Sequence, residues 1–414
     1  MLKPLLAMAL LLASASAFAA DTPLTATRYA QELGVGMDVD WARTERGIRE
    51  FDPLIVRDFY AEGIRHVRIR VADPLTEARL IHLRKLVEAC EKYGMIPIIS
   101  YQADTFKAEP GAKNEAQLVA WWSTVANYFG SEHPTLGFDL IYEPSDKLNH
   151  DMPALNRAYE NIIKTIHDIN PQRMIFIAPR LRAAPEDLTS LKLPGRSQNY
   201  LLAEWHIFPW GPLKNNGKYP WTSGTAAEKA AIRARINTAV HWQQKTGHAT
   251  WVGGWSVGET IKSPPGESQL AFAAFMACEL NKAQIPFALN ADTQFYDGEE
   301  GAWRPTTEPL LKTIISPDCE KADAKPDRRE GKPPVRVHGA SGAAPAAASS
   351  AESKALPASS ASQGSTGWSG EARQKTRPAR RIPYFACRQP EPPPFLPEKG
   401  TAPLRLSLIR ILRC

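Results

Sequence analysis

The chain has 414 residues, of which 43% are hydrophobic, so it is long enough to bury one large core or two modest ones. Its formal net charge of +6 comes from one end: residues 324–414 carry 16 basic and 6 acidic side chains, against 34 and 38 in residues 1–323. Because the larger part is mildly acidic and shows no basic helix or stacking platform, we expect no nucleic-acid partner.

The first 20 residues have the pattern of a secretory signal peptide. Lys3 precedes an apolar run at positions 5–12, and Ala17 and Ala19 have the spacing that signal peptidase prefers. The alternative is a single membrane anchor, but the apolar run is far shorter than the roughly 20 residues that a spanning helix needs. We therefore expect a secreted or periplasmic protein without a membrane span, and a folded domain over residues 21–323.

The other end has a different composition. Residues 324–414 are rich in Pro, Ala, Ser and Arg, and the stretch GAAPAAASSAESKALPASSASQGS contains almost no large apolar side chain. Such a segment cannot bury enough surface to offset the entropy that folding costs. We expect a disordered C-terminal tail.

Five cysteines are present in the sequence, at positions 90, 278, 319, 387 and 414. None has the spacing of a metal motif, and an odd number in a secreted chain leaves at least one free or paired with another molecule. Cys278 and Cys319 form the first pair to test, since both fall near the end of the folded region. Nothing in the sequence implies a cofactor or a metal.

Strand-like runs alternate with amphipathic helical runs from residue 31 to residue 316. The predicted strands cover residues 33–41, 66–71, 95–102, 136–144, 173–179, 199–208, 249–258 and 286–297. Eight strand and helix pairs favour an α/β fold of the (β/α)8 TIM barrel type, whose usual length is about 250 residues. A doubly wound sheet is the alternative, but no GxGxxG follows an early strand.

The stretch LGFDLIYEP, residues 136–144, predicts a buried strand that ends on a carboxylate. Pro144 cannot donate a hydrogen bond to a sheet, so we expect the strand to end near Glu143. The C-terminal ends of parallel strands surround the active-site mouth of a barrel, so Glu143 is the first candidate for catalysis.

Other polar and aromatic side chains share this position at a strand end. Paired carboxylates hydrolyse glycosidic bonds and aromatic faces stack on sugar rings, so the set predicts a carbohydrate site. Its members are Arg68, Arg70, Tyr101, Gln102, Tyr142, Glu143, His206, Phe208, Trp255, Glu259, Asp292 and Gln294, and Trp41 is a further stacking candidate.

Three motifs in order resemble glycoside hydrolase family 5, of the cellulase and mannanase superfamily. HVRIR resembles the second-strand motif and matches Arg68 to the site arginine of the family. FDLIYEP resembles the fourth-strand motif and implies an acid/base role for Glu143. EWHIFPWGP resembles the sixth-strand motif, with His206 in the histidine place and Phe208 in the tyrosine place. The resemblance covers residue 31 to about residue 316.

Two departures from the family pattern concern the chemistry directly. Tyr142 stands where the family has asparagine, and WVGGWS puts Gly254 in the place of the nucleophilic glutamate. Three explanations are open. Glu259 supplies the second carboxylate; or Glu204 or Asp292 activates water in an inverting reaction; or the barrel binds glycans without cutting them.

The resemblance implies a glycoside hydrolase that acts on O-glycosidic bonds of a β-linked polysaccharide, of the endo-β-glucanase or mannanase class. Glu143 then has to be protonated, so we expect burial or a nearby carboxylate to raise its pKa. The second carboxylate has to stay ionised, with Arg68 and His206 beside it. We expect a monomer that needs no cofactor, with a polysaccharide or oligosaccharide as its partner.

Overall fold

The computed structural model describes residues 24–195, 199–207, 221–257 and 264–323. The predicted signal peptide and the predicted tail lie outside these residues. Within them, eight parallel strands pair in chain order and the last pairs with the first, which confirms the predicted (β/α)8 TIM barrel. The strands are β1 (Val35–Ala42), β2 (His66–Val71), β3 (Ile96–Tyr101), β4 (Gly137–Asp139), β5 (Met174–Ile177), β6 (Leu201–His206), β7 (Thr250–Trp255) and β8 (Phe287–Leu289).

Several helices begin at a residue whose side chain caps the first turn. Thr76 and Asp151 each accept a backbone N–H at a helix start, and Thr225 forms a reciprocal capping box with Glu228. The helices are α1 (Ala26–Leu33), α2 (Glu45–Glu50), α3 (Leu54–Glu62), α4 (Glu77–Lys92), α5 (Asp104–Ala108), α6 (Ala112–Phe129), α7 (Met152–Ile169), the single turn α8 (Arg180–Ala183), α9 (Ala226–Thr246), α10 (Glu267–Lys282), α11 (Glu308–Ile315) and α12 (Cys319–Asp323), with a hairpin of β9 (Tyr296–Asp297) and β10 (Ala302–Trp303) after β8.

The fourth strand is shorter than predicted. It ends at Asp139, although the N–H of Tyr142 still donates to the carbonyl of Tyr101 at 2.9 Å. Glu143 has a φ of +47°, in the left-handed region that non-glycine residues seldom adopt. The predicted strand end at Glu143 is therefore wrong: the chain turns there, which points the glutamate differently from a strand residue.

Two apolar layers hold the barrel together. Between strands and helices lies the larger core, to which β5 contributes Ile175 and Ile177. The smaller core contains Met174 and Phe176 of the same strand, together with residues of α1, so it lies inside the barrel at the N-terminal ends of the strands. The floor of the barrel is thus apolar, and polar side chains begin only above it.

A neutral histidine is part of this floor. His66 is fully buried, its Nδ1 lies 2.7 Å from the carbonyl of Leu33, and its Nε2 accepts from Trp251 Nε1 at 3.0 Å. A Cβ on Gly36 would lie 2.2 Å from the imidazole ring, so only glycine fits beside it. Burial lowers the pKa of His66 to about 4.

A disulfide bond joins Cys278 of α10 to Cys319 of α12, which confirms the predicted pair. It fixes the last described helix to the barrel, and the ammonium of Lys229 supports this by donating to the carbonyl of Ala322 at 2.6 Å. Cys90 is a buried free thiol. Among the described helices, none has the length and apolarity to cross a membrane.

We predict that acid destabilises the fold through His66. The unfolded chain binds a proton near pH 6.5, whereas the folded site resists it until about pH 4, so stability present at pH 7 is lost as the pH falls. The loss is about 2 kcal/mol at pH 5. Urea unfolding at pH 7 and pH 5 should show a smaller pH effect in His66→Gln than in wild type. An unchanged difference in that variant, or an equal reduction in the exposed control His241→Gln, would contradict this assignment.

Candidate active site

A fully buried arginine forms the first polar layer above the floor. The parallel register sets Asp38 of β1 beside Arg68 of β2. Arg68 binds Asp38 through two hydrogen bonds, from Nε at 2.6 Å and from Nη2 at 2.8 Å. Its Nη1 donates to Glu204 of β6 and lies 3.3 Å from an oxygen of Asp139 of β4. None of these four side chains has solvent-exposed surface.

The two further carboxyl groups around Arg68 differ in their affinity for a proton. Burial and the charge of Glu204 raise the pKa of Asp139 well above its usual value, against the opposing effect of Arg68. Burial also acts to raise the pKa of Glu204, but Arg68 and His206 outweigh it and lower that pKa to about 2. A hydrogen bond between the two side chains acts in the same directions, since it raises the pKa of Asp139 and lowers that of Glu204.

His206 connects this layer to the mouth of the barrel. Its Nε2 lies 2.6 Å from Glu204 Oε1, and its Nδ1 lies 3.0 Å from Glu143 Oε1. Burial lowers the pKa of His206, but the charge of Glu204 and the hydrogen bonds to both carboxylates raise it to about 9. At neutral pH the imidazole is therefore a cation that donates to a carboxylate from each nitrogen.

Glu143 is the exposed end of this chain of contacts. About 15% of its side chain is exposed, and its Oε2 lies 3.3 Å from Nη1 of Arg182 on the left-handed turn α8. Burial acts to raise the pKa of Glu143, but His206 and Arg182 outweigh it and lower the pKa below its usual value. We expected a raised pKa here, and that expectation is wrong for the free protein, in which Glu143 is an anion.

Tyr142 separates Glu143 from a second group of charges. Its hydroxyl lies 3.4 Å from Nη1 of Arg70 and accepts from Asn290 Nδ2 at 3.2 Å. Arg70 in turn pairs with Asp40 at 2.9 Å. Burial and the charge of Asp40 raise the pKa of the neighbouring Asp292 to about 7, with Arg70 opposing them. The mouth thus contains an ionised carboxylate on one side of Tyr142 and a carboxyl that titrates near neutral pH on the other.

The sequence profile described as "Cellulase (glycosyl hydrolase family 5)" matches residues 37–289, which is more than half of the chain. The chain belongs to glycosyl hydrolase family 5. The match runs from the third residue of β1 to the end of β8, so it includes at least part of all eight barrel strands. Membership confirms the predicted family 5 barrel of cellulase type.

Individual relatives of this family 5 protein are distant. Endoglucanase H of Acetivibrio thermocellus is 22% identical over 210 residues, which are 48% of this chain and 23% of that protein, so the match spans about a quarter of its length. Among solved structures, Thermotoga maritima Cel5A with mannotriose has a TM-score of 0.60 at 17% identity, over 69% of this chain and 98% of that one. The cellulose synthase subunit Z of Clostridioides difficile has a TM-score of 0.59 at 19% identity, over 68% and 99%. These structures share the fold.

Four of the predicted site residues lie together in this family 5 barrel. They are Arg68, Tyr142, Glu143 and His206, and the contacts above connect them directly. Arg68 lies beneath the mouth, not in it, and the ring of Tyr142 covers its guanidinium at 4.6 Å. Its predicted role in substrate binding therefore has to be indirect in this conformation.

The predicted stacking residues are placed differently. Trp255 is fully buried and packs on Phe272 and Phe287, because a register shift between Val252 and Trp255 turns its ring toward the helices. Trp41 packs on Phe51 and Phe59, with 5% of its surface exposed. The ring of Trp255 therefore offers no face to the mouth, whereas Trp41 borders a cavity together with Asp40 and Asp292. Phe208 and Glu259 lie outside the described residues.

The glycine in the predicted nucleophile position lies at the mouth. Gly254 pairs in register with His206 across β6 and β7, so it is one strand away from the histidine that contacts Glu143. It has no side chain with which to contact a sugar. Among the described residues, no cluster of His, Cys, Asp and Glu is arranged to hold a metal ion.

Sequence reasoning missed Asp38, Asp40, Asp139 and Arg182 as parts of the site. The first three had a readable signal. Polar residues recur at alternate positions in the C-terminal halves of strands, as in Asp38 with Asp40, and alternation places both on the inner face of the barrel. Arg182 had none, since its position depends on left-handed backbone at α8.

We predict that Asp38→Asn destabilises the fold by about 3 kcal/mol, because it leaves the buried Arg68 without its doubly hydrogen-bonded anion. The matched control is Asp168→Asn, which removes an exposed pair with Lys164 on α7 and should cost less than about 1 kcal/mol. Urea unfolding of the three proteins at pH 7 measures both values. Equal losses in the two variants would show that Arg68 does not depend on Asp38.

Proposed function

We propose that this family 5 protein is a secreted hydrolase of O-glycosidic bonds in a β-linked polysaccharide, of the endo-β-glucanase or mannanase class, with Glu143 as its acid/base residue. The observation that carries the proposal is the partly exposed Glu143 at the mouth of the barrel, hydrogen-bonded to His206. The similarity to Endoglucanase H of Acetivibrio thermocellus and to Thermotoga maritima Cel5A in complex with mannotriose substrate supports this class. A signal-like N-terminus and a disulfide bond support secretion.

The pKa values suggest where the transferred proton is stored. In the free protein Glu143 is ionised and His206 is protonated, so the proton lies on Nδ1, 3.0 Å from Glu143 Oε1. As the glycosidic bond breaks, this proton moves through Glu143 to the leaving oxygen, and His206 keeps its other proton on Nε2 beside Glu204. Glu143 is then an anion that accepts a proton from the incoming water, and the pair returns to its first state.

The second carboxylate is the open part of the mechanism. Glu204 has no exposed surface, so it cannot contact a sugar in this conformation. Glu259 follows β7 by four residues and is the remaining candidate for the nucleophile of a retaining reaction, in which the carboxyl groups are about 5 Å apart. Asp292 is the candidate base of an inverting reaction, since its pKa of about 7 lets it accept a proton from water.

We predict that Glu143→Gln lowers hydrolysis at least 100-fold, the usual effect of removing a general acid/base. The measurement is release of reducing ends from soluble β-glucan and β-mannan by the purified secreted protein. Glu132→Gln is the control, because Glu132 is an exposed glutamate paired with Arg84 away from the mouth. Undiminished hydrolysis in Glu143→Gln, at unchanged thermal stability, would remove Glu143 from the mechanism.

We predict that Gly254→Glu raises hydrolysis by at least tenfold if Gly254 holds the place of a lost nucleophile. A glutamate there supplies a carboxylate one strand from His206, in a site that keeps its proton donor. Gly254→Gln is the matched control, because it adds the same volume without a charge. Equal activity of the Glu and Gln variants would favour a second carboxylate from another position.

Glycan binding without hydrolysis is the second candidate function. It is favoured by the ionised state of Glu143, the missing side chain at Gly254 and the complete burial of Glu204. A pure binding protein should be retarded in a gel that contains soluble β-glucan or β-mannan and should release no reducing ends. Hydrolysis that Glu143→Gln abolishes would exclude it.

A further inference from the structure

The side chain of Glu204 occupies the space beside a glycine of the neighbouring strand. A Cβ on Gly253 would lie 1.9 Å from Glu204 Oε1, 2.5 Å from Cδ and 2.7 Å from Cγ. Gly253 does not have a positive φ, so its backbone conformation does not require glycine. The lack of room for a Cβ requires it. β7 therefore has no side chain at this point, and the carboxylate of Glu204 from β6 occupies the space.

The same oxygen of Glu204 contacts both cations of the site. Oε1 accepts from Arg68 Nη1 and lies 2.6 Å from His206 Nε2. Glu204 is therefore the group that connects the buried arginine to the histidine. Because Glu204 has no exposed surface, we expect it to affect the charge at the mouth through its contact with His206.

We propose that Glu204 is a positioning residue that holds His206 as a cation hydrogen-bonded on both nitrogens and thereby keeps Glu143 ionised, and that Gly253 is small in order to admit it. The consequence for catalysis rests on the proposed role of Glu143. The effect of Glu204 on the charge of His206 and Glu143 does not rest on that role, since it concerns only contacts within the folded protein.

The charges that face His206 are consistent with this assignment. From β6 it meets Glu204, and from the turn after β4 it meets Glu143 and, at 6.2 Å between ring centroids, Tyr142. β7 contributes only the uncharged Gly253 and Gly254 on this side.

Three more charged or titratable groups lie one contact further away. Arg68 of β2 contacts Glu204, Asp139 of β4 is hydrogen-bonded to Glu204, and Arg182 of α8 contacts Glu143. Burial disfavours a proton on His206, and the charges and hydrogen bonds of Glu204 and Glu143 outweigh it. Removing the charge of Glu204 therefore removes the largest of the effects that raise the pKa of His206.

The test is the titration of His206 followed by NMR of its imidazole, assigned by the signal that disappears in His206→Gln. We expect the wild-type ring to stay protonated at pH 7 and to titrate near pH 9. Glu204→Gln keeps the shape of the side chain and removes its charge, and it should weaken proton binding by His206 at least tenfold. The carboxyl signal of Glu143 should then titrate at a higher pH than in wild type.

Two further variants keep this test decisive. Glu204→Asp keeps the charge but moves it away from Nε2 of His206, so it should lower the His206 midpoint by less than Glu204→Gln does. It replaces Glu204→Gln in the test if that variant does not fold. Glu115→Gln is the matched control, since Glu115 is another buried glutamate, paired with Arg157 on the helix side of the barrel. It should leave the His206 midpoint unchanged. A midpoint equal to that of wild type in both Glu204 variants would reduce Glu204 to a structural residue.

The dependence on Gly253 is tested by a double-mutant cycle on thermal stability. Gly253→Ala should destabilise the wild type strongly, because its methyl group meets the carboxylate of Glu204. The same change in a Glu204→Ala background should cost far less. Gly195→Ala is the control, since a Cβ there meets no atom within 4 Å. Additive costs at Gly253 and Glu204 would overturn the claim that the glycine exists to admit the carboxylate.

The two readouts separate this inference from the proposed hydrolytic function. His206 can titrate as described in a protein that binds glycans without cutting them. Conversely, hydrolysis that depends on Glu143, with a His206 midpoint unaffected by Glu204, would support the proposed function and reject the positioning role.

Discussion

The burial of Arg68 is the constraint on which the polar interior of this barrel depends. A guanidinium without solvent-exposed surface loses its hydration, and only anions with good hydrogen-bond geometry offset that loss. The carboxyl groups around it come from three different strands: Asp38 of β1, Asp139 of β4 and Glu204 of β6. One cation on β2 therefore fixes side chains on strands around the barrel, and the layer above the apolar floor becomes rigid.

Three ionised carboxylates would carry more negative charge than one guanidinium can balance. Shifts in the pKa values of Asp139 and His206 reduce this excess. Burial and the charge of Glu204 raise the pKa of Asp139, and His206 carries a proton. The shift at Asp139 is internal to the layer. The protonation of His206 is not, because its second nitrogen reaches Glu143 at the mouth. The charge of the partly exposed Glu143 thus depends on the buried contact between His206 and Glu204.

The same arrangement determines the range of pH in which the free site keeps this state. His206 loses its proton as the pH rises through about 9, and Glu143 then loses the cation that lowers its pKa. At the acid end, Glu143 takes up a proton only below its ordinary range. Between these limits the site consists of an imidazolium between two carboxylates, which stores a proton without exposing it to solvent.

The barrel itself was predictable from the sequence, because eight strand-like runs alternate with helical runs and the strand ends share polar residues. Glu143 and His206 were found for the same reason. What failed depends on local backbone geometry that periodicity does not encode. β4 stops at Asp139, Glu143 adopts a positive φ, α8 is left-handed, and a register shift turns Trp255 outward. Each of these moves a side chain without changing the pattern of apolar residues.

The glycines of β7 show why a missing residue in a motif is weak evidence about the charge of a site. The inner face of a closed barrel is shared by all its strands, so a carboxylate can reach the same space from a neighbouring strand. Glu204 does this from β6 across Gly253. It restores an anion beside Arg68 and His206 but not a group that a sugar can reach, since it has no exposed surface. The electrostatics of the site and its nucleophile are therefore separable.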